Sequence, residues 1–260
     1  MPLSVASLLL VATATLANGQ EFVPITGSVP QDITGVVLPA FCAAKSTVVR
    51  TITTLEPQEG NVTVMTYPPD LIRVDTRPGA KDGAMWLLLE LNQTVAGSAS
   101  QGGIRIQLPP SQLERVDACC SARAQIMEGF TNVKSLLAST SAEISATLTA
   151  SNATATIKDL DIVASTSSKI AVDYSGGDVN LVSVGTSARV DLIANSLTKL
   201  DAGTSGMASL QLTTPPSSGA VSTSGVAEIS VADGCLDIST STSGQCTARS
   251  RNVLVSRNVR

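Results

Sequence analysis

Apolar and polar residues alternate one by one along much of this chain. The alternation is plain in Lys169-Ile170-Ala171-Val172-Asp173-Tyr174, in Val179-Asn180-Leu181-Val182-Ser183-Val184 and in Arg189-Val190-Asp191-Leu192. A period of two carried by Val, Ile, Leu and Thr predicts strands with one buried and one wet face. Breakers such as Ser175-Gly176-Gly177-Asp178 and Ala194-Asn195-Ser196 separate the runs.

Between the strands one phrase recurs: a small residue, Thr-Ser, a small residue, any residue, an apolar one. It reads Ser139-Thr140-Ser141-Ala142-Glu143-Ile144, Ser165-Thr166-Ser167-Ser168-Lys169-Ile170 and Gly185-Thr186-Ser187-Ala188-Arg189-Val190. It continues as Gly203-Thr204-Ser205-Gly206-Met207-Ala208, Ser222-Thr223-Ser224-Gly225-Val226-Ala227 and Ser241-Thr242-Ser243-Gly244-Gln245-Cys246. Cys119-Cys120-Ser121-Ala122-Arg123-Ala124 is a degenerate first copy. The central serines, Ser121, Ser141, Ser167, Ser187, Ser205, Ser224 and Ser243, stand 20, 26, 20, 18, 19 and 19 residues apart.

A fixed period in this range marks a stacked repeat, in which each unit buries its apolar face against its neighbours. Each period holds two or three short strands, one coil of a solenoid. The expected fold is all-β: a right-handed parallel β-helix over residues 113–246, about seven coils of 19–20 residues stacked ~4.8 Å apart. Alternation from the apolar sixth position of the phrase puts the fourth position and the Thr inside. The Ser then faces water with the fifth column: Arg123, Glu143, Lys169, Arg189, Met207, Val226 and Gln245.

Residues 20–112 are β-rich but less regular, as early coils or a cap. Ile72-Arg73-Val74-Asp75, Trp86-Leu87-Leu88-Leu89-Glu90-Leu91 and Ile104-Arg105-Ile106-Gln107-Leu108 read as strands. Residues 247–260 read as an irregular basic tail carrying Arg249, Arg251, Arg257 and Arg260. At the other end, Leu8-Leu9-Leu10-Val11-Ala12 followed by Ala17-Asn18-Gly19 reads as a secretory signal peptide over residues 1–19. No later run reaches the ~20 apolar residues of a membrane span. The mature chain is expected outside the cytosol.

Composition narrows the picture. Hydrophobic residues make up 43% but aromatics only 2%, so the core must be built in thin aliphatic layers. A net charge of −4 with no basic stripe argues against nucleic acid. Asn61-Val62-Thr63, Asn92-Gln93-Thr94 and Asn152-Ala153-Thr154 are glycan acceptor sequons, and Asn152 falls in the one long step of the repeat. Five cysteines allow two disulfides and one thiol in an oxidising compartment. Cys235 and Cys246, flanking the last copy, are the expected pair. Adjacent Cys119 and Cys120 do not easily bond each other, and one of them can reach Cys42.

The order of elements also carries a resemblance. An apolar strand, Ile104-Arg105-Ile106-Gln107-Leu108-Pro109, then Leu113-Glu114-Arg115-Val116-Asp117, leads into Ser- and Gly-rich repeats about twenty residues apart. This resembles the family named putative auto-transporter adhesin, head GIN domain, over roughly residues 33–245. That family's usual repeat is a Ser-Gly-Ser-Gly-Asp phrase, where this chain has Thr-Ser-Ala or Thr-Ser-Gly. The resemblance implies a right-handed β-helical stack and an adhesion role, with no catalytic residues to carry over.

No catalytic, cofactor or metal residues are expected. Without histidine there is no Ser-His-Asp or Cys-His arrangement, and without CxxC there is no metal spacing. An extracellular polysaccharide lyase or hydrolase needs carboxylates gathered on one face. Measured from the repeat serines, Asp161, Asp173, Asp178, Asp191 and Asp201 fall in different columns. The expected function is a secreted or cell-surface adhesion-type binding module for a glycan, matrix or cell-surface ligand. A structural spacer or coat protein and an ice- or crystal-surface binding solenoid are the alternatives. The direction of Thr166, Thr186, Thr204 and Thr223 discriminates the last.

Overall fold

The computed structural model describes residues 21–25, 29–38, 50–79, 85–98, 101–148, 159–175, 178–194, 197–213, 216–218, 221–223, 228–232, 238–240, 245–250 and 253–257. These form two mixed β-sheets, of twelve and eleven strands, with a single short helix. The N-terminal elements are β1 (Val23–Pro24), β2 (Ile33–Val37), β3 (Arg50–Pro57), β4 (Thr63–Tyr67) and β5 (Ile72–Pro78). They continue with β6 (Met85–Leu91), α1 (Gln93–Ser98) and β7 (Gln101–Leu108).

The repeats begin at β8 (Arg115–Ala118), followed by β9 (Arg123–Ile126), β10 (Ser135–Ala138), β11 (Glu143–Leu148), β12 (Leu160–Ala164) and β13 (Lys169–Tyr174). Next come β14 (Asp178–Val184), β15 (Arg189–Ala194), β16 (Leu197–Thr204), β17 (Ser209–Leu212), β18 (Pro216–Ser218) and β19 (Val221–Thr223). The last are β20 (Glu228–Ala232), β21 (Ile238–Thr240), β22 (Gln245–Ser250) and β23 (Val253–Arg257).

From β8 onward the chain passes back and forth between the sheets. Strands β9, β11, β13, β15, β17, β20 and β22 are consecutive neighbours in the twelve-stranded sheet. Strands β8, β10, β12, β14, β16, β19 and β21 are consecutive in the other. All these pairings are parallel. Each period therefore supplies one strand to each sheet, with β18 as a short addition beside β16.

The described residues before β8 join the same two sheets. Strand β2 pairs in parallel with β8, and β3 with β9, so they extend the repeat toward the N-terminus. Antiparallel strands then close that end: β5 on β6 in the eleven-stranded sheet, and β1 on β4 and β4 on β7 in the other. At the far end β23 folds back antiparallel on β22. The expected irregular tail is thus corrected: Val253–Arg257 is a strand, because Val253-Leu254-Val255 can continue the β pattern beside Cys246–Ser250.

Burial follows the pleat. In the eleven-stranded sheet Val36, Val116, Leu136, Ile162 and Val182 stand in register and are at most 1% exposed. Ala124, Ile144, Ile170, Val190 and Leu210 form the matching inner column of the twelve-stranded sheet. They belong to one continuous core cluster. Each large aliphatic side chain so buried contributes roughly 1.5–3 kcal/mol, which offsets the scarcity of aromatic rings.

Candidate functional site

Among the described residues the stack presents a ridge of turns and two sheet faces that bear on function. The ridge joins β8 to β9, β10 to β11, β12 to β13 and β14 to β15 through four-residue turns. Ala122 N donates to Cys119 O (3.0 Å), Ala142 N to Ser139 O (3.1 Å), Ser168 N to Ser165 O (3.3 Å) and Ala188 N to Gly185 O (3.1 Å). The central pairs, Cys120–Ser121, Thr140–Ser141, Thr166–Ser167 and Thr186–Ser187, all have φ between 48° and 66°. Two successive left-handed residues are what a type I′ turn requires.

This geometry overturns the expected inward threonine ladder. Thr140, Thr166 and Thr186 are exposed, as are Ser121, Ser141, Ser167 and Ser187. Strand parity does not carry through these turns, because two left-handed residues reset which way a side chain points. The fourth position is inward, with Ala142, Ser168 and Ala188 at 1–2% exposure. The rungs are tied by backbone: Ser121 N donates to Thr140 O, Ser141 N to Thr166 O and Ser167 N to Thr186 O, at 3.0–3.1 Å.

At the fifth copy the alignment slips by two residues. The turn there is Gly206–Met207 rather than Thr204–Ser205, and Arg189 pairs with Ser209. Ser205 stands beyond Thr204, which pairs with Val184 and is 3% exposed. Gly206, at φ 73°, adopts the left-handed conformation at lower cost than Thr and draws the turn to itself. Ser224, Ser243 and Thr223 offer no side-chain comparison, since Ser224 and Ser243 lie outside the described residues and nothing is described of Thr223's side chain.

The outer face of the twelve-stranded sheet is charged. Arg123, Glu143, Lys169, Arg189, Ser209, Glu228 and Gln245 occupy one register column, so Ser209 and Glu228 replace the expected Met207 and Val226. Glu143 lies between Arg123 (3.6 Å) and Lys169 (4.0 Å), and Arg189 binds Asp191 at 2.8 Å. Such solvated pairs contribute little to stability and keep the face wet.

The outer face of the eleven-stranded sheet differs. Its second outward column runs Asp75, Leu88, Val37, Asp117, Leu137 and Val163. Here Val37, Asp117, Leu137 and Val163 floor an open groove of about 260 Å³, with Cys119, Ser139 and Ser165 along one edge. The neighbouring column carries Arg77, Trp86, Gly35 and Arg115 in register. The Trp86 pyrrole ring lies flat on Gly35, where an added Cβ would meet Cδ1 at 2.9 Å. The Arg115 and Arg77 guanidinium carbons stand 4.6 and 5.4 Å from the indole centroid. Arg115 donates through Nε and its terminal nitrogen to both Asp117 carboxylate oxygens, at 2.8 and 3.0 Å. Asp117 O in turn accepts from Leu38 N at 2.9 Å. Sequence reasoning missed this cluster, although an isolated glycine inside the apolar run Ile33–Val37 is a known sign of close approach.

The other anticipated positions are dispersed. Asn61 is exposed in the turn before β4, Asn92 is half-buried at the start of α1, and Asn152 lies outside the described residues. Cys119 and Cys120 are half-exposed free thiols, while Cys42 and Cys235 lie outside the described residues and nothing is described of the Cys246 side chain. Asp117 and Asp161 are on one sheet and Asp173 and Asp191 on the other, with none of them paired in register. Among the described residues no group of three or more His, Cys, Asp or Glu is placed to hold a metal. No helix among the described residues is long and apolar enough to cross a membrane.

No family model and no curated protein matches the chain. Solved structures do. One from Bacteroides fragilis NCTC 9343, described as a "putative adhesin", matches with a TM-score of 0.51 at 16% identity, over 84% of this chain and 92% of that one. Another of the same description, from Parabacteroides merdae ATCC 43184, has a TM-score of 0.39 at 12% identity, over 92% and 97%. The first establishes a shared fold.

Proposed function

We propose that this protein is a secreted or cell-surface adhesion-type binding module without catalytic activity. The observation that carries the reading is the contrast between the two outer faces. One is a ladder of exposed, mutually paired charges, the pattern of a solvated wall. The other sets an apolar groove beside a supported tryptophan and an Arg–Asp pair. Apolar ground with a few fixed polar groups is the usual composition of a recognition site. A rigid stack presents such groups with little ordering cost, which favours binding.

The shared fold with a protein described as a "putative adhesin" supports the same reading. Membership of the head GIN family is part of the proposal, as is a right-handed winding of the alternating strands into a β-helix of about seven coils. So are removal of residues 1–19 on export, glycans on the sequons, and a Cys235–Cys246 disulfide. The domain limits are proposed as 20–112 for the irregular β-rich part and 113–246 for the regular stack, the latter ending one residue inside Gln245–Ser250.

The test is a binding screen of residues 20–260 against cells, extracellular matrix and immobilised glycans, beside a polysaccharide-degradation assay. Saturable binding without turnover is the expected result. Turnover of any polysaccharide would overturn the reading, and absence of binding to every surface would make the chain a spacer.

A further inference from the structure

We propose that the groove on the eleven-stranded sheet, with the Trp86 platform beside it, takes a neutral, extended glycan; this rests on the binding-module reading above and names its ligand class. The floor suits the C–H faces of pyranose rings. Leu137 and Val163 are branched aliphatics on adjacent strands, and Val37 lies one strand beyond Asp117; all three are half-exposed although they point away from the core. Beside them the indole of Trp86 rests on Gly35, with the Arg115 and Arg77 guanidinium groups over the ring.

The rim suits hydroxyl groups. Ser139 and Ser165 each both donate and accept, and the Arg115–Asp117 pair presents donors and acceptors side by side. A sugar hydroxyl can accept from the guanidinium while donating to the carboxylate. The two side chains are already tied together through both carboxylate oxygens, so their positions need little ordering on binding.

Charge selects among glycans. Arg115 and Asp117 neutralise each other, and no lysine lines the groove. Within the groove an acidic sugar would meet the Asp117 carboxylate and find the nearby Arg115 already paired, so it would have to break that pair and leave a charge uncompensated; the exposed Arg77 stands on β5, beyond Trp86 and outside the groove's lining. Shape selects length. The groove crosses from β2 through β8 and β10 to β12, three strand spacings or ~14 Å, and is open rather than enclosed. A polypeptide strand gains less here, because this face offers side chains and no free backbone edge for a ladder.

Trp86 is the only tryptophan in the chain, so intrinsic fluorescence reports on this site alone. The experiment titrates the full mature chain with cellohexaose, mannohexaose and a heparin-derived hexasaccharide at low and high salt, with sedimentation run in parallel. The expected result is a saturable emission shift with a neutral hexasaccharide that salt leaves unchanged. Leu137→Arg and the nearly isosteric Asp117→Asn should each weaken it about tenfold or more, while Arg189→Ala on the opposite face should not. A shift with the heparin fragment alone, or one abolished by salt, overturns the proposal. Self-association that Leu137→Arg abolishes would assign the groove to a second copy and also overturn it. If neutral hexasaccharides leave Trp86 silent while the chain still adheres to cells, this ligand class falls and the binding-module reading stands. If the chain adheres to nothing, both fall.

Discussion

Replacing Thr166 by glycine should stabilise this protein, against the usual direction for glycine in a structured position. Thr166 has φ 52° and an exposed side chain, and its neighbours in the column, Thr140 and Thr186, share its conformation. An L-residue held left-handed costs ~1–2 kcal/mol, and a β-branched one lies at the upper end. Glycine removes that strain but loses ~0.5–1 kcal/mol through its freer unfolded chain. The balance favours Thr166→Gly by about 0.5–1 kcal/mol. No packing is lost, and the Thr166 carbonyl still accepts from Ser141 N at 3.0 Å. Thr166→Asn, which tolerates the left-handed region without glycine's entropy, should gain about 1 kcal/mol. Thr166→Val keeps the branch and should gain nothing. With a urea slope of ~2 kcal/mol per molar, the glycine variant should move the unfolding midpoint up by about 0.3 M. A downward shift of that size, or an equal gain from Thr166→Val, would refute the claim that backbone strain governs this position.

Other consequences can be checked in the same way. Gly35→Ala should cost about 1–3 kcal/mol and red-shift Trp86 emission, because its Cβ would stand 2.9 Å from the indole; unchanged fluorescence would contradict that packing. Thr51→Val and Thr66→Val should each raise stability by about 1 kcal/mol, since both hydroxyls are buried without a partner; a loss measured by urea unfolding would show a bond not accounted for. Glu143→Lys should cost less than about 1 kcal/mol, with most of the loss removed by added salt, since its ion pairs are solvated. When the chain is expressed through a eukaryotic secretory route, peptide mass spectrometry should find Asn61 more fully glycosylated than half-buried Asn92.

Strand positions were legible because the period-two pattern is a local property. Lys169–Tyr174 reads as a strand and is one, from its first residue to its last. The phrase spacing likewise anticipated that Glu143, Lys169 and Arg189 would stack in register. What could not be read was the turn. Thr-Ser looks like strand by propensity, yet in three copies it sits at the two left-handed positions, so Thr140, Thr166 and Thr186 are outward, while Thr204, outside its turn, is inward as the parity count has it. The slip at Gly206 has the same origin. Matching letters align Ser205 with Ser187, but the turn needs a left-handed residue and takes the glycine one place on. Because the slip is two residues, strand parity survives, and Leu210 and Leu212 still face the core.

The candidate face was harder to foresee than the fold. Trp86, Gly35 and Arg115 are separated by tens of residues and meet only because β6, β2 and β8 are neighbours out of chain order. Periodicity marks which residues point outward. It says nothing of which strand lies beside which, and that adjacency converts scattered Val37, Leu137 and Val163 into one groove.

Binding through the groove face, not the charged face, is the central claim. Hydroxyl-radical footprinting of the chain, free and bound to the surface it adheres to best, tests this directly. Protection is expected at Trp86, Leu137 and Val163, with Met207 and Ile193, exposed at 71% and 51% away from the groove, oxidised equally in both states. Protection at Ile193 and the charged column of the twelve-stranded sheet, with Trp86 and Leu137 unchanged, would contradict it.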